Sequence, residues 1–242
     1  MAGRLYVGTS GFAYPDWAPR FYPAGARQAD LLRLYAARLP AVELNNTFYQ
    51  QPRPERVAAW LAATPSSFRF TVKAQRGSSL RGLGERAADA FAWLMPAYRQ
   101  FGERLGSVLF HVPEQIRRDD ARLATLLAAW PPDMPLALEF QHPSWLDDEV
   151  LALLRENGAA LCATDRDDAP PPDIRLTGPF LYLRLRRSSY PEEELAAWAG
   201  RLVPFLADGC DAFVFFRHDA DGETPLRALD LLERTMTALS AA

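Results

Sequence analysis

The chain is poor in the residues that build metal centres and cross-links, and neither sign of charge dominates it. Its 242 residues include two cysteines, Cys162 and Cys210, and three histidines, His111, His142 and His218. Two thiols so placed have no metal-ligand spacing and no disulfide framework. Their apolar settings, AALCATD and DGCDAFVFF, predict buried free thiols in a reducing compartment. No histidine pair has HxH or HxxxH spacing, so histidines as metal ligands are disfavoured, and no metal or other cofactor is expected. Basic residues number 27 and acidic residues 30. That balance argues against a surface built throughout for nucleic acid, although a local basic patch is still allowed. No apolar run approaches the roughly 18 residues needed to span a bilayer. The start, MAGRLYVGTSG, lacks the apolar stretch of a signal peptide. The expectation is a cytoplasmic protein with no membrane partner. A glycine-rich phosphate turn is also missing, since GTSG at Gly8 to Gly11 is too weak a match, and this argues against an open doubly wound sheet.

What is present is a regular alternation. Hydrophobic residues make up 49% and charged residues 24%, an ordinary globular composition. Eight short apolar runs read as strands: LYVGT (from Leu5), AVELN (from Ala41), FRFTVKA (from Phe68), SVLFHV (from Ser107), LALEF (from Leu136), AALCAT (from Ala159), FLYLRLR (from Phe180) and AFVFFR (from Ala212). Between most of them, apolar residues recur at three- and four-residue spacing, as helices require. Leu123, Leu126, Leu127 and Trp130 form one such stripe; Leu229, Leu232, Met236 and Leu239 form another. Thr224 then Pro225 reads as cap and first helical residue, Ser144 with Asp147 resembles a capping box, and Gly158 reads as a helix stop. Pro96 and Pro204 predict kinks or breaks. Asp165 to Gly178 holds Pro170, Pro171 and Pro172 where a sixth helix belongs, and is expected to cross the mouth as an irregular loop. The fold class is α/β, a single (β/α)8 TIM-type barrel over residues 1–242.

Side chains on a strand alternate between two faces. Phe68, Phe70 and Val72 oppose Arg69, Thr71 and Lys73. Leu136, Leu138 and Phe140 oppose Ala137, Glu139 and Gln141, while Leu181, Leu183 and Leu185 oppose Tyr182, Arg184 and Arg186. Val42 and Leu44 oppose Glu43 and Asn45. If the apolar faces pack on outer helices, the polar ones point into the barrel. An isolated interior charge costs several kcal/mol, so Glu43, Lys73, Glu139, Arg184 and Arg186 must pair or sit near the mouth. Active sites of such barrels lie there, at the strand C-termini. All three histidines fall in the same zone, although His142 has outward parity and suits a loop brace. Glu43 and Lys73, on neighbouring strands, could equally be an internal ion pair with no chemistry. Trp17, Phe48, Tyr49 and Trp145 lie in loops after strands, as loop packing or as pocket walls.

Several segments resemble the YecE-like family (domain of unknown function 72). They are VGTSGFAYPDW with FYP (Val7 to Pro23), VELNNTFYQQP (Val42 to Pro52), FRFTVKA, LFHVP (Leu109 to Pro113), LEFQHPSW (Leu138 to Trp145), and YLRLR followed by a Tyr and an acidic helix start. The resemblance covers nearly the whole chain and implies a (β/α)8 barrel with no established reaction. By motif match it implies Gly8, Ser10, Glu43, Asn45, Thr47, Tyr49, Lys73 and Glu139 as mouth residues. The chain departs from the expected pattern late in the sequence. Gly77, Ser78 and Ser79 stand in place of a Thr-His pair, and Gln141 in place of Arg. Arg186 and Arg187 replace His-Gly, and Arg217 and His218 replace Asn-Asn.

The leading expectation is therefore a protein that binds or acts on a small anionic, phosphate-bearing substrate. Lys73, Arg184, Arg186, Arg187 and Arg217 would clamp the anion, and Glu43 and Glu139, with Lys73, would carry acid–base chemistry. Ser10, Tyr14, Trp17, Asn45, Thr47, Tyr49, His111, Gln141, His142, Trp145 and His218 complete the candidate binding set. Three alternatives stay open. One is glycoside hydrolysis by the two glutamates, which requires carboxyls about 5 Å or about 6.5–9.5 Å apart. Another is metal-assisted phosphodiester cleavage, with His111, His142 or His218 and Glu43, Glu139 or Asp219 as ligands; a nucleic-acid partner is admitted there but not favoured. The last is a non-catalytic ligand-binding or scaffold role.

Overall fold

The computed structural model describes residues 1–241, the side chain of Ser79 excepted; the expectation placed on that side chain falls outside the described residues. Eight strands occur where the apolar runs predict them: β1 (Leu5–Thr9), β2 (Ala41–Leu44), β3 (Arg69–Lys73), β4 (Leu105–Val112), β5 (Leu136–Phe140), β6 (Ala160–Asp165), β7 (Phe180–Leu185) and β8 (Asp211–Phe216). All neighbours pair in parallel, in the order β1-β8-β7-β6-β5-β4-β3-β2. The intervening helices are α1 (Leu31–Ala36), α2 (Pro54–Ala62), α3 (Arg76–Gly82), α4 (Ala87–Arg99), α5 (Asp120–Ala129), α6 (Asp148–Glu156), α7 (Glu192–Ala207) and α8 (Thr224–Ser240). No helix among the described residues is long and apolar enough to cross a membrane.

Period-two parity sorts the core into two. Val7, Val42, Phe70, Val72, Val108, Phe110, Leu138, Leu181, Leu183 and Val214 face outward into one large cluster with the helices. Tyr6, Ala41, Leu109, Ala137, Ala160, Cys162, Phe180, Tyr182, Phe213 and Phe215 form a second cluster that fills the barrel. Tyr6 stacks on Phe213 at 4.8 Å between ring centroids, and Phe180 meets Phe213 edge-on at 5.4 Å. The lower interior is thus plugged by aromatic rings, and only the upper interior is left for polar groups.

The barrel closes at β1 and β2, where side chains supplement a short backbone contact. Ser10 bridges to Glu43, with Gly11 N–H donating to the Glu43 carbonyl at 2.9 Å. Below this the Tyr35 hydroxyl enters the seam, accepting from Thr9 N–H at 2.8 Å and donating to the Ala41 carbonyl at 3.0 Å. A Cβ on Gly8 would lie 2.0 Å from that same carbonyl. Glycine is therefore required for the strands to come this close.

Several local expectations shift. No helix lies between β6 and β7, as the prolines demand, but the loop does not run across the mouth. Its start stays near the rim, where Arg187 donates to the Ala169 carbonyl and Ser188 N–H to Asp167. The chain then descends the outer wall, since parallel β7 must begin at the opposite end; there Thr177 Oγ1 donates to the Ala159 carbonyl and accepts from Leu161 N–H. Asp147, not Ser144, caps α6, accepting from Glu149 N–H at 3.0 Å. Glu223 precedes α8, and Thr224 is already helical. Gly158 does follow the end of α6, at φ +63°. Helices α4 and α7 run through Pro96 and Pro204 without a break. The most deeply buried stripe of α8 is Ala228, Leu231 and Thr235; Leu229, Leu232 and Leu239 flank it, and Met236 is exposed.

Replacing Tyr35 by Phe leaves the buried Thr9 N–H and Ala41 carbonyl without that hydroxyl. The expected cost is about 1–3 kcal/mol, read as a lower urea midpoint at unchanged slope. A loss under about 0.5 kcal/mol, the scale of an unremarkable surface change, would mean that the hydroxyl does not hold the seam.

Candidate functional site

The site is best followed up β7, whose inward residues Phe180, Tyr182, Arg184 and Arg186 climb from the aromatic plug to the mouth at about 6.6 Å per step. Arg184 is the central one. Its Nη1 donates to both oxygens of Glu139, at 2.7 and 2.8 Å, and its Nη2 to Glu43 Oε1 at 2.8 Å. Both glutamates are sealed from solvent, at 0% and 1% exposure. Glu43 Oε1 also accepts from Ser10 Oγ at 2.7 Å and Arg186 Nη2 at 3.1 Å, and Oε2 from Tyr182 at 2.9 Å. Glu139 Oε1 accepts from Thr164 Oγ1 at 3.0 Å, and Oε2 lies 2.8 Å from His111 Nδ1. This satisfied network is what lets charges persist below the mouth. Among the described residues only Arg184 Nε within it is buried without a partner.

Burial pushes the Glu139 carboxyl up, but Arg184, then the His111 hydrogen bond, then Lys73 outweigh it and hold Glu139 well below the ordinary value of 4.5. Cys162, beneath the network, is pushed up by burial first and by Glu139 second, which leaves an inert thiol. Both cysteines are free, although Cys210 is only half-buried.

Lys73 is the exception in this interior. It makes no ion pair with Glu43, because Arg184 and Arg186 already hold that carboxylate. Its Nζ lies 4.7 Å from the centroid of the Phe48 ring. Burial, then the nearby charge of Arg184, lower its pKa.

Of the predicted residues, the structure brings together Ser10, Glu43, Lys73, His111, Glu139, Arg184 and Arg186. Asn45 and Gln141 are half-buried with the same inward parity, and Gln141 accepts from Arg166 at the rim. Tyr14 donates to the Ser10 carbonyl at 3.0 Å and stacks on His218 at 4.9 Å. Tyr14 and His218, with the exposed Arg217, line a shallow depression beside β1 and β8.

The remainder lie elsewhere. Trp17 and Trp145 are wholly buried, their indole N–H groups donating to the Asp219 and Ile116 carbonyls. They pack loops and form no pocket wall. Thr47 is also buried, donating to the Leu44 and Lys73 carbonyls. Tyr49 is exposed. His142 caps the turn after β5 by accepting from Ser144 N–H at 3.1 Å. Arg187 points outward to Asp165 at 2.9 Å, so it leaves the anion clamp, and Tyr190 shares that carboxylate.

The geometry also bears on the alternatives. A glycosidic bond would have to sit between the two carboxylates, and the Arg184 guanidinium fills that space. Asp219 accepts from Gly222 and Thr224 N–H at the start of α8, and each histidine has a different partner. Among the described residues no three His, Cys, Asp or Glu side chains group as a metal site. Sequence reasoning misses Thr164 and most of the walls of one cavity. Thr164 was findable by applying strand parity to ALCATD. The residues lining the cavity beside His111, among them Arg76, Leu80, Gln115 and Ile116, lie on a helix and a loop and carry no such signal.

Fold and site together define a (β/α)8 barrel with a buried ionic floor and a cationic mouth. The chain matches the model for "Protein of unknown function DUF72" over residues 6–241 and belongs to that family. It is 22% identical to the UPF0759 protein YunF of Bacillus subtilis, covering 95% of this chain and 94% of that one. It is 24% identical to the UPF0759 protein YecE of Escherichia coli over 58% of this chain and 50% of that one. Among solved structures it is similar to a DUF72 family protein of Enterococcus faecalis, with TM-score 0.80 and 20% identity over 96% and 95% of the two chains. A DUF72 family protein of Thermotoga maritima gives TM-score 0.77 and 25% identity over 97% and 99%.

Two stability experiments follow from the floor. Because the Glu139 pKa is depressed by folding, its contribution is present above the ordinary value of 4.5 and is lost as pH falls below it toward the folded value. Urea unfolding across that range should therefore show an acid limb that Glu139→Gln flattens. Arg184→Met strands two buried carboxylates and should cost about 3–5 kcal/mol at neutral pH. In that variant Glu139 loses the charge that most lowers its pKa, so the deficit should shrink on acidification; a deficit independent of pH would contradict the assignment.

Proposed function

We propose that the protein binds a small phosphate-bearing anion at the C-terminal mouth of its barrel and acts on it by acid–base chemistry. One observation carries this reading. The guanidinium groups of Arg184 and Arg186 are matched by Glu43 and Glu139, while Lys73, half-buried beside them and eased only at a distance by the charges of Glu139 and Glu43, has no carboxylate within ion-pair reach among the described residues. A cation held in a desolvated position next to another cation is unfavourable, and a bound anion relieves it. Arg186 commits Nη2 to Glu43, and its Nε and Nη1 make no protein hydrogen bond among the described residues. The end of β7 is also where phosphate sites of such barrels often form.

The acid–base role moves from the glutamate pair to His111. An ionised Glu139 can only accept, so His111 Nδ1 donates to it and Nε2 is the ring nitrogen left for a ligand. Side-chain exposure of 20% keeps His111 in reach of a ligand. In this scheme Lys73 and Arg186 hold the anion, His111 moves a proton, and Glu139 fixes the imidazole tautomer. Glu43 and Arg184 set the floor beneath them.

Inorganic phosphate should raise the melting temperature. At ten times its dissociation constant the stabilisation is about 1.4 kcal/mol, roughly 3–5 °C for a chain this long. Lys73→Met and Arg186→Met should each abolish the shift. If phosphate at tens of millimolar moves neither the melting curve nor the heat of titration, the reading fails.

A further inference from the structure

A cavity of about 410 Å³ opens beside the cationic mouth, lined by Phe48, Arg76, Leu80, His111, Gln115 and Ile116, with Pro113. Its size falls within the range of small-molecule pockets, and its walls are mixed: Phe48, Leu80, Pro113 and Ile116 are apolar, while Arg76 and Gln115 supply polar edges. Two residues join it to the anion position. Phe48 presents its ring to Lys73 Nζ at 4.7 Å and meets the His111 ring edge-on, centroids 6.2 Å apart. His111 is at once a cavity wall and the partner of Glu139.

We infer that the ligand is bipartite: an organic phosphate whose organic part is a flat, largely apolar ring with polar edges, seated in this cavity while the phosphate reaches Lys73 and Arg186. The inference rests on the anion reading and extends it to the substrate class. Three features of the cavity support it. Phe48 borders both the cavity and Lys73, and His111 both the cavity and Glu139, which sets the two positions side by side. Leu80 is an exposed apolar side chain, at 50%, standing over a concave apolar wall, which a covering ring would remove from water. His111 stands at the junction, where the oxygen linking phosphate to ring would lie. Such a ligand is held by charge at one end and by buried apolar area at the other.

The test uses two phosphonates that resist hydrolysis, methylphosphonate and naphthylmethylphosphonate, together with uncharged 1-naphthol, titrated calorimetrically into the whole protein. The expected result is about tenfold or greater preference for the naphthyl compound, with naphthol competing for it. Leu80→Ser, a surface change that the fold tolerates, should remove most of that preference and leave methylphosphonate binding unchanged; Ile116→Ala is the second variant with the same expected signature. Equal affinities for the two phosphonates, with methylphosphonate bound, overturn the ring subsite and leave the anion reading standing. Binding of naphthol without any advantage from the phosphonate group overturns the anion reading and the bipartite ligand with it.

Discussion

One guanidinium organises the upper half of this barrel. Arg184 ties a carboxylate on β2 to a carboxylate on β5 from its place on β7, which makes it the interior counterpart of the hydrogen-bonded wall. The arrangement is self-consistent only as a set. Remove the arginine and two carboxylates lie in a dry interior; remove either glutamate and the arginine is short of a partner. Interior ion clusters of this kind are weak contributors to net stability compared with well-packed apolar residues. What this one supplies is position. Glu43 is fixed by donors from β1 and β7, so the barrel seam and the site share a single side chain.

That fixed floor determines which chemistry the mouth can support. A glutamate acting as general acid or base needs an oxygen that can gain a proton near neutral pH and reach the substrate. Glu139 meets neither requirement, being sealed and held acidic by Arg184. Its contact with the mouth is through His111, whose Nδ1 lies 2.8 Å from Oε2. Meanwhile the cations divide by face and height. Arg184 is consumed in the floor, Arg187 turns outward to Asp165, and Lys73 and Arg186 stay at the height a ligand can touch.

Much of this was readable from period two alone. Once eight apolar runs were taken as strands, parity placed Glu43, Lys73, Glu139, Arg184 and Arg186 inside, and each is there. Parity also places Tyr182 inside, and the same rule applied to ALCATD puts Thr164 there. Their roles were less evident, because a hydroxyl declares its hydrogen bond only when its neighbour across the barrel is known. Partner choice was the part sequence could not resolve. Glu43 and Lys73 lie on adjacent strands, yet Glu43 takes its cations from β7, across the interior. Residues distant along the sheet order meet inside a closed barrel, and strand adjacency is a poor guide to such contacts. Trp17 and Trp145 illustrate a second limit. Loop aromatics look alike as pocket walls and as packing until their indole N–H groups are seen donating to loop carbonyls.

The division between floor and rim also separates buried charges from positions that can be exchanged. Of the residues matching the expected family pattern, Ser10, Glu43, Lys73 and Glu139 lie in the floor or directly upon it, whereas Tyr49 is exposed. Of the expected departures, Arg186 and Arg187 at the end of β7, Gln141 after β5, and Arg217 and His218 after β8 lie above, while Gly77 and the buried Ser78 stand in α3. Arg186 contacts Glu43 from above without being needed to satisfy it, since Ser10, Tyr182 and Arg184 already do so. Gln141 is engaged by Arg166, in the segment that replaces a sixth helix, and Arg187 by Asp165, at the end of β6. A rim built this way can exchange residues without disturbing the buried charges, because the two levels share few obligatory hydrogen bonds. A shared floor therefore implies shared positioning of His111 and Lys73 among relatives that keep those residues.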